Sequence, residues 1–275
     1  MTPGARKDLQ KPTDAVEQAK LDISVIIITK NEEQRIRACL ESVPFAAEVI
    51  VLDGGSTDAT AKVAESMGAT VVVSTEWEGF GRQKNKALGH ASKFWVLSLD
   101  ADETVTPALQ SEIEAALRNP KSDCYAIPRL SDFCGRFLRH SGWHPDYVAR
   151  LFKRGTARFS DDLVHERLIP DGKVARLSEP LIHRGYRGPS ETLQKIDRYS
   201  SDWALQKKSS GKTAGFWSAP CHGVAAFLKT YILRRGFLDG HAGLAVAISS
   251  AEVAYYKYLK LWLATTALTE KPPSP

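Results

Sequence analysis

Apolar and polar positions change rhythm repeatedly along this chain, and each change predicts an element. The run ISVIIIT (Ile23–Thr29) is almost continuously apolar and β-branched, the pattern of a strand covered on both faces. NEEQRIRACLESV follows, with Ile36 and Leu40 at helical spacing and Pro44 ending the helix. EVIVLDGG reads as a second buried strand stopped by a Gly-Gly turn. STDATAKVAESMG then predicts a helix with Ser56 or Thr57 as N-cap and Gly68 just after it. ATVVVST is a third strand, GRQKNKALGHA a short helix, FWVLSLD a fourth strand, and ALQSEIEAALRN after Pro107 an amphipathic helix.

Strands alternating with helices at this pace predict an α/β fold: a mostly parallel sheet with helices on both faces. From Cys124 to about Ile182 the rhythm shifts to short strand-like pieces with turns, YAIPRL, VARLFKRG and KVARL, which fit antiparallel additions to the sheet. Beyond Gly188 the pattern is helical and basic. The expected organisation is a disordered leader over 1–20, a catalytic domain over 21–188 and a basic helical appendage over 189–270.

Composition changes this picture in few places. The hydrophobic share of 43% and charged share of 25% suit an ordinary globular core. The apolar stretch around Leu244–Leu263 is interrupted by Glu252, Lys257 and Lys260, so no membrane-spanning helix is expected. The first residues lack the apolar centre of a signal peptide, which predicts a cytoplasmic protein. Cys39, Cys124, Cys134 and Cys221 form no CxxC pair, so reduced thiols are expected.

Charge is unevenly spread. From Leu181 onward there are 13 Lys and Arg against 6 Asp and Glu, whereas the first 180 residues carry 24 against 26. A basic tail on a slightly acidic front suggests an anionic surface as partner, and no recognised nucleic-acid motif accompanies the charge. Val224, Phe227, Leu228, Tyr231 and Ile232 fall on one helical face, with Lys229, Arg234 and Arg235 outside it. YYKYLKLWL interleaves aromatics with Lys257 and Lys260. Together they predict either helices packed on the catalytic domain or an interfacial pair lying on anionic lipid.

Candidate chemistry gathers at three strand ends: Thr29-Lys30-Asn31-Glu32, Asp53-Gly54-Gly55-Ser56 and Asp100-Ala101-Asp102. In an open parallel sheet, ligands bind beyond the carboxyl ends of the strands, so all three should share one rim. No G-x-G-x-x-G follows the first strand and no P-loop occurs anywhere, which removes the main support for dinucleotide and P-loop readings. Two carboxylates two residues apart, completed by diphosphate oxygens and water, are a usual way to hold magnesium or manganese.

SVIIITKNEE, VIVLDGGSTDAT, QKNKAL and WVLSLDADE resemble, in order and spacing, the GT-A glycosyltransferases of family 2. RLFKRG…VHERL and FLKTYILRRGFLDGHAGL look most like the bacterial lipopolysaccharide-core glucosyltransferases that extend the inner-core heptose. The resemblance implies a GT-A fold, an inverting hexose transfer from a nucleotide-diphosphate sugar such as UDP-glucose, and a lipid-linked acceptor at the inner-membrane surface. It sets Thr29, Asn31 and Glu32 beside the nucleoside, Asp53 on the base, Lys84 toward the diphosphate, and Asp100 near ribose and metal. Asp102 would be the main ligand of a Mg or Mn ion.

Inverting transfer needs a base for the acceptor hydroxyl. Asp161, Asp162 and Glu166 in FSDDLVHERL are candidates, with Glu166 favoured by the VHE match, although His165-Glu166 stands where most of the family has an ED pair. Trp143 and His144 in RHSGWHPDYVAR suit a sugar face and are candidate acceptor contacts. His183 reads as a structural histidine. A sugar-1-phosphate nucleotidyltransferase is the alternative on a similar fold, but TKNEEQR lacks the Gly-rich basic loop that chemistry needs. A non-enzymatic binder of nucleic acid or an anionic surface would use the tail alone.

Overall fold

The structure, a computed structural model, describes residues 19–161, 166–185 and 188–266. The expected leader therefore lies almost wholly outside the described residues.

The parallel part of the sheet is built around β1 (Leu21–Thr29). The strands β2 (Ala46–Asp53) and β4 (Trp95–Asp100) flank it in parallel, and β3 (Thr70–Val73) adds to the far side of β2. Because successive strand side chains point to opposite faces, the apolar run divides between two cores. Ile23, Val25 and Ile27 pack with Ile36, Leu40, Leu109 and Ile113, which come from α1 (Glu33–Glu41) and α4 (Pro107–Arg118). Ile26 packs on the other face with Ile50, Leu52, Val96, Phe152 and Ala87 of α3 (Phe80–Gly89). Both faces are covered, as the continuous apolar pattern requires.

The later strands extend this sheet. After the short β5 (Glu103–Thr104) come β6 (Cys124–Phe133), β7 (Arg136–Phe137) and β8 (Asp146–Lys153). A separate hairpin of β9 (Ala157–Phe159) and β10 (Leu168–Pro170) follows, then β11 (Val174–Arg176) and β12 (Leu181–His183). The strand order is β3-β2-β1-β4-β8-β6-β12-β5. The β8 strand runs antiparallel to both β4 and β6, as expected, while β11 and β12 pair with β6 in parallel.

One local expectation is corrected. The second helix, α2 (Thr60–Ser66), begins later than a Ser56 or Thr57 cap would give, and neither residue caps it. Ser56 bonds Asp53 and Asn31 while Thr57 bonds Asn31, so both hydroxyl residues are spent on the strand-end turns. Asp58 Oδ1 instead accepts from the Thr60 amide at 3.0 Å.

Beyond the sheet, α5 (Pro189–Ser209), α6 (Ser218–Leu228) and α7 (Gly240–Thr266) pack together, with a π-helical turn Lys229–Leu233 and a 3-10 turn Gly236–Asp239 between the last two. This region packs against residues 133–143, beside the sheet. Val246 joins Phe133 and Leu138 in a third apolar cluster, with Trp143 packed against it. The buried Asp239 carboxylate accepts from the amides of Arg139 and His140 and from Ser141 Oγ at 3.0 Å, and contacts His140 Nδ1 at 3.1 Å. A Cβ at Gly142 would meet the Arg234 guanidinium, so that cation lies over the 139–142 loop. Lys260 is also committed elsewhere, to Asp197 at 2.7 Å and to Ser200 and Ser201.

The α6 face is turned opposite to ordinary amphipathic packing. Its small residues Ala219 and Gly223 are buried, Gly223 beside Ala251 and Tyr255 of α7, whereas Val224, Leu228 and Ile232 are 61%, 45% and 53% exposed. No helix among the described residues is long and apolar enough to cross a membrane.

Candidate active site

Parallel register brings the three polar strand ends together. Thr29 is opposite Asp53 across β1 and β2, and Ile28 is opposite Asp100 across β1 and β4. At the first end, Asn31 takes the left-handed conformation at φ 56°, which asparagine tolerates. Its side-chain oxygen accepts from the Thr57 amide and its own amide donates to Ser56 Oγ, both at 2.8 Å. Glu32 donates its amide to Thr60 Oγ1 and lies 3.6 Å from Arg35. Thr29 Oγ1 is buried at this rim with no hydrogen-bond partner among the described residues. Asp53 is buried; its Oδ2 accepts from the Gly55 and Ser56 amides and its Oδ1 from Ser56 Oγ, so it shapes the DGGS turn.

The acids after β4 resolve into two environments. Asp100 is held between two cations: Arg150 donates to Oδ2 at 2.5 Å, and Lys84 Nζ lies 2.8 Å from Oδ1. Burial pushes the Asp100 carboxyl up, but the adjacent Arg150 and Lys84 outweigh it and hold the group well below the usual carboxylate range. Arg150 also donates to the fully buried Glu103 at 2.6 Å, and Glu103 accepts from the Asp100 amide at 2.9 Å. Burial, reinforced by the Asp100 charge, raises the Glu103 carboxyl even with Arg150 present.

Asp102 faces outward from that cluster. Its Oδ2 lies 3.5 Å from Arg35 and 3.5 Å from His183 Nε2. The His183 ring is oriented by Ser131 Oγ, 2.9 Å from Nδ1, and its strand pairs with both Ser131 and Glu103. Arg35 reaches on to Glu191 of α5 at 3.8 Å. Among the described residues no three His, Cys, Asp or Glu side chains gather as a metal cluster. A carboxylate oxygen and an imidazole nitrogen nevertheless converge at Asp102.

Lys84 is the connecting residue. Buried on α3, its Nζ lies 2.9 Å from Glu166 as well as beside Asp100. The close approach that permits this is at Gly81, where a Cβ would lie 1.7 Å from the Ser160 carbonyl oxygen and 3.5 Å from Glu166 Cβ. Any larger residue would push the helix off the strand that leads to Glu166. Asp161 is largely exposed and only 4.0 Å from Arg82. Asp162 lies outside the described residues. Of the acceptor candidates, Trp143 packs edge-on to Phe133 with ring centroids 6.0 Å apart, and His144 Nδ1 contacts the Arg129 carbonyl at 3.0 Å.

Two contributors escaped the sequence reading, Arg35 and Arg150, while His183, read there as structural, lies beside Asp102. Arg150 carried a usable signal, because an arginine inside the apolar strand VARLF needs a buried acid. Arg35 carried none, and nothing local tied His183 to Asp102, because that partner is distant in sequence from both.

A polar rim with acids at successive ends of a mostly parallel sheet, extended by antiparallel strands, is the architecture of a GT-A glycosyltransferase. The chain belongs to glycosyl transferase family 2, whose family model matches residues 24–170. An uncharacterized glycosyltransferase of Rickettsia typhi is 31% identical over 87% of this chain and 86% of its own length. The lipopolysaccharide core biosynthesis glycosyltransferase LpsC of Rhizobium meliloti is 29% identical over 88% of this chain and 93% of its own. The crystal structure of S. aureus TarS 1-349 is similar at a TM-score of 0.48 and 15% identity, over 87% of this chain and 92% of that one.

Proposed function

We propose that the protein is a metal-dependent inverting hexosyltransferase that moves glucose from UDP to a lipid-linked saccharide of the lipopolysaccharide-core type. The observation that carries this is the junction of two clusters at the strand ends, Asp102 with His183 and Lys84 with Asp100 and Glu166. Similarity to the Rhizobium core glycosyltransferase supports the acceptor class.

Thr29, Asn31 and Glu32 would line the nucleoside, with the orphan Thr29 hydroxyl as a donor to it. Asp53 would bond the base from its pre-formed turn. The donor set fits a divalent cation: a carboxylate and an imidazole nitrogen 3.5 Å from it, with Arg35, now 3.5 Å from the same carboxylate oxygen, free to turn to the diphosphate when the ion binds. With both Asp100 oxygens held by Lys84 and Arg150, the geometry favours Asp102 and His183 as the protein ligands of a Mg or Mn ion, and Asp100 as their charged support. When bound, the ion supplies neutralisation of charge developing on the departing diphosphate. Lys84 adds a second positive centre on that side.

Glu166 is the proposed base, taking the acceptor hydroxyl proton as the oxygen attacks the anomeric carbon. Lys84 Nζ, 2.9 Å from its Oε1, holds the carboxylate in place for that task. Glu166→Gln is expected to leave UDP and manganese binding intact while lowering turnover roughly 100-fold. The same loss in Asp161→Asn, with Glu166→Gln active, would move the base. The reading as a whole is tested by incubating purified protein with UDP-sugars and manganese. Slow release of UDP from one sugar is expected, and no release from any would sink it.

Trp143 and His144 are proposed to face the acceptor, and the protein to sit peripherally on the cytoplasmic face of the inner membrane. The outward Val224, Leu228 and Ile232 row supports that location, since an apolar helix face beside Lys229 suits the headgroup boundary of anionic lipid. Leu228→Glu with Ile232→Glu is expected to weaken sedimentation with anionic vesicles about tenfold, a shift of ~1.4 kcal/mol, while UDP affinity stays unchanged. Equal sedimentation would remove this face from the contact.

A further inference from the structure

Between α5, α6 and α7 lies an open cleft of about 480 Å³ whose lining includes Lys229, Arg234 and Lys257 but no carboxylate. Among the described residues, none of these three cations is within ion-pair distance of an acid, unlike Lys260 one turn beyond Lys257, which is paired with Asp197. The sequence around the cleft explains the lack of partners: from Trp203 to Leu238 it holds six Lys and Arg and neither Asp nor Glu. Gathering like charges without counter-charge costs stability unless an anion relieves it.

The cleft has a built wall as well as charge. Trp203 and Tyr258 pack with ring centroids 4.9 Å apart, and Tyr258 stacks on His222 at 3.6 Å. Lys257 lies over the Trp203 ring at 5.8 Å, with Lys207 at 5.6 Å from the same ring. Ser250 contributes a hydroxyl-bearing residue to the lining. Half-burial of Lys257 lowers its ammonium below the ordinary lysine value, the direction an arriving anion would reverse. Arg234 also lies over Gly142, in the loop that leads to Trp143 and His144. An occupant would therefore sit against the acceptor side of the molecule.

We infer that this cleft is a phosphate-binding subsite, taking the phosphate of a lipid headgroup or of a phosphorylated saccharide. The chemistry is three cations lining one cleft, with a hydroxyl-bearing residue and an aromatic wall suited to an attached glycerol or sugar. The inference rests on the proposed lipid-linked acceptor only for the source of the phosphate. Binding itself is independent of the donor rim.

The test compares wild type, Lys229→Gln/Lys257→Gln, and a control of equal charge change outside the cleft, Lys208→Gln/Lys212→Gln. Each is sedimented with phosphatidylglycerol and phosphatidylcholine vesicles and titrated calorimetrically with inorganic phosphate and glycerol 3-phosphate. For a headgroup site, the cleft pair should weaken phosphatidylglycerol binding tenfold or more and the control pair less than threefold. For a soluble phosphorylated ligand, the cleft pair should abolish binding of phosphate and glycerol 3-phosphate while vesicle binding is unchanged. Equal weakening by both pairs would mean diffuse surface charge and overturn the subsite, as would no effect in either assay. UDP titrated against all three proteins separates the outcomes: wild-type UDP affinity in the cleft pair is expected whether or not the transferase reading holds. Loss of UDP affinity there would assign the cleft to the donor site and overturn the inference.

Discussion

Arg150→Ala is expected to destabilise the protein by about 3–5 kcal/mol, the scale for removing one partner from a buried ionic cluster. The guanidinium is the only cation within hydrogen-bond distance of the fully buried Glu103 among the described residues, and it shares Asp100 with Lys84. Its loss would leave Glu103 in apolar surroundings beside another carboxylate. Urea denaturation at neutral pH measures the effect, and a loss under about 1 kcal/mol would mean that Arg129, 3.7 Å from Glu103, already compensates.

The defect should also depend on pH. Asp100 titrates below its unfolded value, so its contribution is present above about pH 4 and lost only as pH falls through the lower folded value. Glu103 is raised, so the stability linked to it is fully present below its unfolded value and lost as pH rises through the folded one. Without Arg150 that folded value climbs further. The destabilisation is expected to be largest near neutrality and to shrink as Glu103 takes up a proton on acidification.

Asp102→Asn is expected to lower transfer by about 1000-fold, equivalent to ~4 kcal/mol of lost transition-state stabilisation. The substitution keeps size and removes the charge that faces Arg35 and His183. Because Asp102 is one-fifth exposed and not within the Arg150 cluster, thermal unfolding should change little. Calorimetric titration with manganese supplies a readout apart from turnover, and its affinity should fall as well. Wild-type activity with unchanged manganese dependence would remove Asp102 from the metal assignment. A loss of turnover with unchanged manganese affinity would instead assign it to orienting Arg35.

Much of the fold was legible because local chemistry and burial agree. ISVIIIT is apolar at every position but Ser24 and Thr29, so only a strand covered on both faces satisfies it, and that is where β1 sits. The parallel register then follows from helices between strands, and it alone aligns Thr29, Asp53 and Asp100. The α2 start was misread because Ser56 and Thr57 have good capping chemistry but better partners at the rim. A hydroxyl takes whichever acceptor the tertiary structure offers first.

Local sequence determined the strands, most helices, the three polar strand ends and the basic tail, because each depends on the periodicity or composition of adjacent residues. Only the tertiary structure decided how charge is shared among them. DADE carries three acids in four residues, yet their environments differ completely: Asp100 lies between Lys84 and Arg150, Asp102 beside His183 and Arg35, and Glu103 wholly buried. Those partners lie 16 to 81 residues away in sequence, on helices and two strands whose register no local pattern encodes. The tail followed the same division. Its helices and charge were readable, but which cations are paired and which line an acid-free cleft depends on how three helices pack. Electrostatic partnership is a through-space property, and sequence spacing reports it only within one element.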